Sequence, residues 1–347
     1  TPLEIIQCPN INSIGGVLFH LKAAEDVIEK AVLKSDYVIV RLPSTIGLIA
    51  AKYVRKYNKP CLIEVVGCAW SSLWNHSFKG KLLAPLSFLK NRMAIYYADA
   101  VVYVTESFLQ KRYPTKGKKY FCPDVSLEVV DPDVLEKRID LINNMCTGRR
   151  IVIGSIGAVN VRYKGHAYMI RATRMLVNQG YDLEYHIVGG GDGSRLRKLA
   201  NDVGVADRLV LHGSLPHKMI FDFLDNVDVY VQPSLTEGLP RTLIEAMSRG
   251  CPCVCTNVGA MPDLIQNDLI VRKRDAKSLA EKISYLLAEK DLVQIATRNY
   301  EISKNFEWEV LEKKRADILR EVFGAIGKTN EGDQRREVSH SYARSKR

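Results

Sequence analysis

A chain of 347 residues, 46% hydrophobic and 26% charged, has the makeup of a soluble globular protein, and its length favours two domains. No window approaches the ~18 uninterrupted apolar residues of a membrane-spanning helix, and Thr1–Glu4 has no basic region leading into an apolar core, so the reading is a cytoplasmic chain without a signal peptide. The net charge of +11 is uneven: between Lys79 and Lys119 nine basic residues face two acidic ones, with no nucleic-acid-binding motif beside them. Such a basic stretch suits lipid headgroups or phosphorylated substrates, and equally a plain solvated face.

In chain order, LEIIQCP (from Leu3), DYVIVRLP (from Asp36), KPCLIEVVG (from Lys59) and ADAVVYVTE (from Ala98) are short β-branched runs, with helical patterns at AAEDVIEKAVLK and TIGLIAAKYVRKY. A polar break, NNMCTGRR, follows at 143–150. Beyond it RRIVIGSIG, LEYHIVGGG, RLVLHGSL, VDVYVQPS, CPCVCTNVG and DLIVRK read as strands, separated by helices that include HAYMIRATRMLVNQG, SRLRKLANDVG, HKMIFDFLDN and RTLIEAMSRG. Alternating strands and helices, with strands apolar throughout, indicate parallel sheets covered on both faces. The reading is α/β with two Rossmann-like domains, at 1–148 and 149–324, the second including the final helices. With about four strands in the first half and a start at Thr1, opening strands of the first domain are expected to be absent from this chain. Residues 325–347 are polar and aperiodic and read as a disordered tail.

Of eight cysteines, Cys251, Cys253 and Cys255 alternate through one apolar run and would share a strand face. Without a Cys-x-x-Cys pair they read as buried structural thiols, and no metal site is expected.

The informative segment is YVQPSLTEGLPRTLIEAMSRGCPCVCTNVGAMPDLI, from Tyr230. Glu237 stands where a helix should begin, and Glu245 falls a little over two turns further on. Gly238 lets a ligand approach the backbone, Leu239 follows, and Pro240 is pre-shaped for the first helical turn. The free N–H groups of that turn suit a diphosphate. Ionised carboxylates beside it accept hydrogen bonds from ribose and sugar hydroxyls. Upstream, SIGAVNVRYKGHAYMIRA places Arg162 and Lys164 in the loop after the first strand of this half. The turn at Gly189-Gly190-Gly191-Asp192-Gly193 misses the dinucleotide fingerprint register and lies mid-domain.

EGLPRTLIEAMSRGCPCV resembles the E-x7-E signature of the retaining glycosyltransferases of family 4, which have two facing Rossmann-like domains (GT-B), here in a bacterial polysaccharide-biosynthesis branch. The resemblance implies that Glu237 binds donor-sugar hydroxyls, that Glu245 binds the ribose, and that the backbone at Gly238–Pro240 holds the diphosphate. It also implies that Lys164 and a neighbouring arginine neutralise that diphosphate. Lys164-Gly165 matches the family, but Val159 stands where the family's arginine belongs, so Arg162 would act from a shifted position. Gly189, Gly190, Ser214 and Leu215 would line the donor pocket. EVVGCAWSSLW resembles an E-V-V-G-D-P-W sequence of that branch, with Cys68 and Ala69 replacing Asp-Pro. The histidine many members carry near Gly67 is absent, and His76 is too distant to stand for it. Arg41, Gly67 and Trp70 are acceptor-side candidates, although core packing competes for Trp70.

The expected function is therefore a retaining, metal-independent hexosyltransferase without a cofactor. It would use a nucleoside-diphosphate sugar as donor and a glycan or lipid-linked acceptor, in capsule, lipopolysaccharide or exopolysaccharide synthesis. The basic stretch would place it peripherally at the inner face of the plasma membrane. The alternatives are a nucleotide-sugar epimerase or phosphorylase of the same fold and a non-catalytic nucleotide-sugar-binding module. A dehydrogenase is weakest.

Overall fold

The structure, a computed structural model, describes residues 4–11, 14–74, 78–128, 131, 133–145 and 148–324. His76 and the tail from 325 onward lie outside them. The chain divides into two units, one formed by Thr1–Asp124 with Glu309–Arg347 and the other by Val125–Trp308.

The first unit runs α1 (Ile14–Lys34), β1 (Val38–Leu42), α2 (Thr45–Lys56), β2 (Cys61–Val65), α3 (Ala69–Trp74), α4 (Phe78–Tyr96), β3 (Ala100–Tyr103), α5 (Phe108–Arg112) and β4 (Lys118–Phe121). The four strands pair in chain order and all in parallel. Crossovers through helices make that possible. Ser44 caps α2, its hydroxyl accepting from the Gly47 N–H at 2.9 Å. β3 is buried along its whole length, as a central strand covered on both faces must be.

Two sequence expectations change here. The described part of LEIIQCP forms no strand: residues 4–10 have no regular structure and Ile5 is exposed. The fourth strand is instead β4, whose lysines are tolerated because it is an edge with one side open.

The second unit runs α6 (Asp133–Asn143), β5 (Ile151–Ile156), α7 (His166–Asn178), β6 (Leu183–Val188), α8 (Ser194–Asp202), β7 (Leu209–Gly213), α9 (His217–Asp225), β8 (Val229–Gln232), α10 (Arg241–Ser248), β9 (Cys253–Thr256), α11 (Met261–Leu264), β10 (Ile270–Val271), α12 (Ala276–Glu289) and α13 (Leu292–Ser303). Its six strands are parallel in the order β10-β9-β8-β5-β6-β7, so the chain starts mid-sheet and winds outward both ways. This is the doubly wound arrangement, with its switch point between β5 and β8. Ile153, Tyr185, Ile187, Val229, Val231 and Val254 fill its core. Cys251, Cys253 and Cys255 are all buried there, and burial pushes their thiols above the ordinary range. Only Cys253 and Cys255 belong to β9; Cys251 precedes it.

The unit boundary differs from the polar break at 143–150, and the reason is α6. Its buried Arg138 donates to the carbonyls of Leu224 (2.7 Å), Val227 (2.5 Å) and Arg249 (2.9 Å), closing the carboxyl ends of α9 and α10. The final helix also changes partner. α14 (Trp308–Phe323) covers the first unit, where Ile318 and Phe323 pack with Leu62, Ala100, Val102 and Cys122. Phe323 stacks on Tyr37 at 4.4 Å, and Lys118 pairs with Glu321 at 3.0 Å.

Among the described residues, no helix is long and apolar enough to cross a membrane.

Candidate active site

In a parallel sheet every strand's carboxyl end lies on one edge, so the loops after β5, β6, β7, β8 and β9 share that edge of the second unit. Backbone contacts tie them together. The Val159 N–H donates to the Gly190 carbonyl at 3.0 Å, Gly189 N–H to Gly213 at 2.8 Å, and Leu235 N–H to Tyr163 at 2.7 Å. Gly165 permits the last of these approaches. It sits at φ +78°, and a methyl group added there would lie 1.8 Å from the Pro233 carbonyl oxygen.

These ties bring Lys164, in a single 3-10 turn at Arg162–Lys164, to the loop after β8. Its Nζ lies 2.9 Å from Glu237 Oε1, and both side chains are largely shielded. Ser234 Oγ (2.7 Å) and Gln232 Nε2 (3.1 Å) donate to the same oxygen. Gln232 is held in turn, its Oε1 accepting from Tyr230 at 2.6 Å and Thr242 at 3.2 Å. Glu237 precedes α10 by four positions, and Pro240 is the cap rather than the first helical residue. The Gly238 carbonyl accepts from Ala260 N–H at 2.9 Å, which braces the loop from β9's side.

Glu245 is buried on α10, and its Oε1 lies 3.1 Å from Nε2 of the exposed His217 and 4.0 Å from Arg241. Gly190 and Ser214 are close neighbours: a methyl group on Gly190 would lie 2.4 Å from Ser214 Oγ. Leu215 and Leu239 pack partly buried against the core. Arg162 is exposed, and its charge, after burial, helps hold the Arg195 guanidinium at the start of α8 below its ordinary pKa. Val159 is a buried core residue, so no guanidinium occupies that position.

Beneath the β5 loop, His166 is buried with Nδ1 2.9 Å from the Tyr185 hydroxyl and Nε2 3.1 Å from the Gly157 carbonyl. Burial first, then the charges of Lys164 and Arg195, push its pKa down from 6.5 to about 4, against the Gly157 bond. The ring is thus neutral and props the loop carrying Lys164.

The acceptor-side candidates belong to the first unit. Arg41 on β1 bonds Asp124 at 3.1 Å and lies 3.4 Å from Glu64, its register partner on β2. Gly67 follows β2 with space around it. Trp70 stacks on Trp74 at 5.1 Å and meets Phe88 edge-on at 6.2 Å, which is packing between α3 and α4.

Sequence reading named Lys164, Glu237 and Glu245 but missed Gln232, Ser234 and His217, which hold the two carboxylates, and Thr242, which holds Gln232. For His217 a signal existed, since it directly follows the Ser214–Pro216 turn.

A carboxylate–lysine pair and a second, buried carboxylate thus stand at the carboxyl edge of a doubly wound sheet. Residues 150–289 match the family described as glycosyl transferases group 1. Protein CapJ of Staphylococcus aureus is 33% identical over 277 residues, covering 79% of this chain and 68% of CapJ. The amylovoran biosynthesis glycosyltransferase AmsK of Erwinia amylovora is 28% identical, covering 58% of this chain and 52% of AmsK. Sucrose-phosphate synthase from Thermosynechococcus elongatus superposes with a TM-score of 0.66 at 18% identity, covering 90% of this chain and 80% of that one. HepE of Anabaena in complex with UDP and glucose gives 0.65 at 17%, covering 92% and 86%. The chain belongs to the group 1 glycosyltransferases, and its fold is that of the GT-B enzymes.

Proposed function

We propose that this chain transfers a sugar, with retention of configuration, from a nucleoside diphosphate to an acceptor hydroxyl in bacterial polysaccharide assembly. The observation that carries the reading is the Lys164–Glu237 pair, set between the β5 loop and the start of α10. Glu237 Oε1 is saturated by Lys164, Ser234 and Gln232, which fixes the carboxylate, so Oε2 would be the oxygen that accepts from sugar hydroxyls. Glu245, oriented by His217, takes the ribose hydroxyls. The first-turn N–H groups of α10, at Arg241 and Thr242, have no partner one turn back and would receive phosphate oxygens.

When the sugar–phosphate bond breaks, charge accumulates on the diphosphate. Lys164, held by Glu237, with the nearby Arg162 and Arg195, would stabilise it without a metal ion. Gly189, Gly190, Ser214 and Leu215 form the wall for the nucleoside. Retention needs no enzyme nucleophile if the departing phosphate oxygen takes the acceptor's proton on the same face. HepE was solved with UDP and glucose, and AmsK bears the name of a polysaccharide biosynthesis enzyme; both agree with this donor and pathway class. Arg41 and Gly67 are the acceptor-side candidates, and a lipid-linked acceptor would suit the basic stretch at 79–119.

The test is thermal stabilisation by UDP, GDP and ADP, beside Glu245→Ala. One nucleotide should raise the melting temperature of the wild type and leave the variant unmoved. A folded wild type that responds to none of the three would remove the donor site from this reading.

A further inference from the structure

α4 is apolar on two sides. One side closes the first unit: Ala84 and Ile95 are buried, and Phe88 packs against Trp70 and Tyr113. The other side is open. Leu82 is 72% exposed, Leu86 52%, Leu89 53% and Met93 54%. Their spacing of four, three and four residues lines them up on one helical stripe, with Leu83 beside it. A helix apolar all round is normally enclosed, and a contiguous exposed apolar strip marks an interaction surface.

The charges around the strip say what covers it. α4 carries Lys79, Lys81, Lys90 and Arg92 and no acidic residue. At one end Lys81 Nζ lies 5.9 Å from the ring of the part-exposed Trp74. At the other, the exposed Tyr97 has Arg55 at 5.0 Å and Lys116 at 5.7 Å from its ring. Leucines flanked by cations and by amphipathic aromatic rings match the boundary between acyl chains and anionic headgroups. A second copy docked symmetrically on the strip would bring the cations of two α4 helices together without an acid between them.

We propose that α4 is a membrane-docking helix. It lies flat on an anionic bilayer, with Leu82, Leu86, Leu89 and Met93 among the acyl chains and Lys81, Lys90, Arg55 and Lys116 at the phosphates. The inference deepens the reading of a lipid-linked acceptor and rests on it for purpose, while its test is independent of sugar transfer.

The full chain would be sedimented with vesicles of phosphatidylcholine alone and of phosphatidylcholine with phosphatidylglycerol. It should bind the mixed vesicles, lose binding as salt rises, and bind the neutral ones far less. Leu82→Gln/Leu86→Gln/Leu89→Gln should weaken binding on the order of a hundredfold. Lys81→Gln/Lys90→Gln should weaken it about tenfold or more. These side chains are exposed, so both variants should keep the wild-type melting temperature and its nucleotide response. If the wild type answers to no nucleotide yet binds mixed vesicles, the donor reading falls and this one stands. Wild type that stays in solution with mixed vesicles, or a leucine variant that binds as well as wild type, overturns the proposal. So does a wild-type dimer in sedimentation velocity that the leucine variant converts to monomer, because a second copy would then cover the strip.

Discussion

Lys164 and Glu237, 73 residues apart in the chain, meet at 2.9 Å across the gap between the β5 loop and the loop before α10. The contact exists because Gly165 lets the first loop press on Pro233 and because Ser234 and Gln232 hold the carboxylate from below. If Lys164 stabilises the departing diphosphate, Lys164→Ala should lower the turnover of sugar transfer by about 10²–10³-fold. The melting temperature should barely change, since Glu237 keeps its two neutral donors. Glu237→Gln should cost a similar factor, and the double variant little more than either, because the two act as a unit. Strict additivity in that cycle would separate the pair.

The second carboxylate gives a prediction of a different kind. His217 holds Glu245 Oε1 at 3.1 Å, and Arg241 waits at 4.0 Å. Without the imidazole the carboxylate is free to turn toward Arg241, away from the ribose position. His217→Ala should therefore raise the donor KM by roughly five- to tenfold, the worth of one charge-assisted hydrogen bond in a part-exposed site. Turnover at saturating donor should be close to wild type, and His217→Gln should recover part of the loss. A fall in turnover at unchanged KM would contradict this role.

How much of this was legible in the sequence depends on where each element sits. Strands β5 and β8 are buried on both faces, so RRIVIGSIG and VDVYVQPS are apolar runs that read directly as strands. β4 was illegible because an open edge accepts Lys118 and Lys119, while LEIIQCP looked like a strand and has no strand to join. An apolar run reports what could be buried, not its partner. The same limit applies to α14, whose helical pattern is plain but whose choice of sheet is decided by Ile318 and Phe323 meeting β2 and β3. At the site, Glu237, Glu245 and Lys164 could be singled out because the E-x7-E segment and the Lys164-Gly165 pair resemble the family's pattern. Gln232 and Ser234 could not, because they flank a proline and read as strand end and turn, whereas His217 had only its place after the Ser214–Pro216 turn to mark it.

Arg138 supplies a stability prediction. It is buried and answers three carbonyls from two helix ends and the turn before β8. Arg138→Met keeps most of the volume but leaves those oxygens unpaired in a low-dielectric setting. Relief of the cation's own desolvation offsets part of the cost. A net loss of about 3 kcal/mol is expected in the second unit, read from urea unfolding followed by a probe in that unit. Unchanged stability would show that the carbonyls find other donors.

The last prediction concerns acid. His166 is neutral in the folded chain, with its pKa pushed down from 6.5 to about 4 chiefly by burial. Between those values the unfolded chain binds a proton that the folded chain does not, so stability rises with pH across this window and is lost as pH falls through it. From pH 7 to pH 5 the single group should remove about 2 kcal/mol. His166→Asn lacks the titration: it should be less stable than wild type at pH 7 through lost packing and bonding, yet lose correspondingly less on going to pH 5. Urea unfolding of both chains at the two pH values checks this, because carboxylates common to both cancel in the difference. The same window bears on function, because protonating His166 would put a charge beneath Lys164 and unseat the Gly157 loop. Nucleotide binding should therefore weaken in the wild type as pH falls toward about 4. Equal pH slopes for the two chains would mean that His166 is already charged in the folded state, and the neutral prop beneath the β5 loop would have to be abandoned.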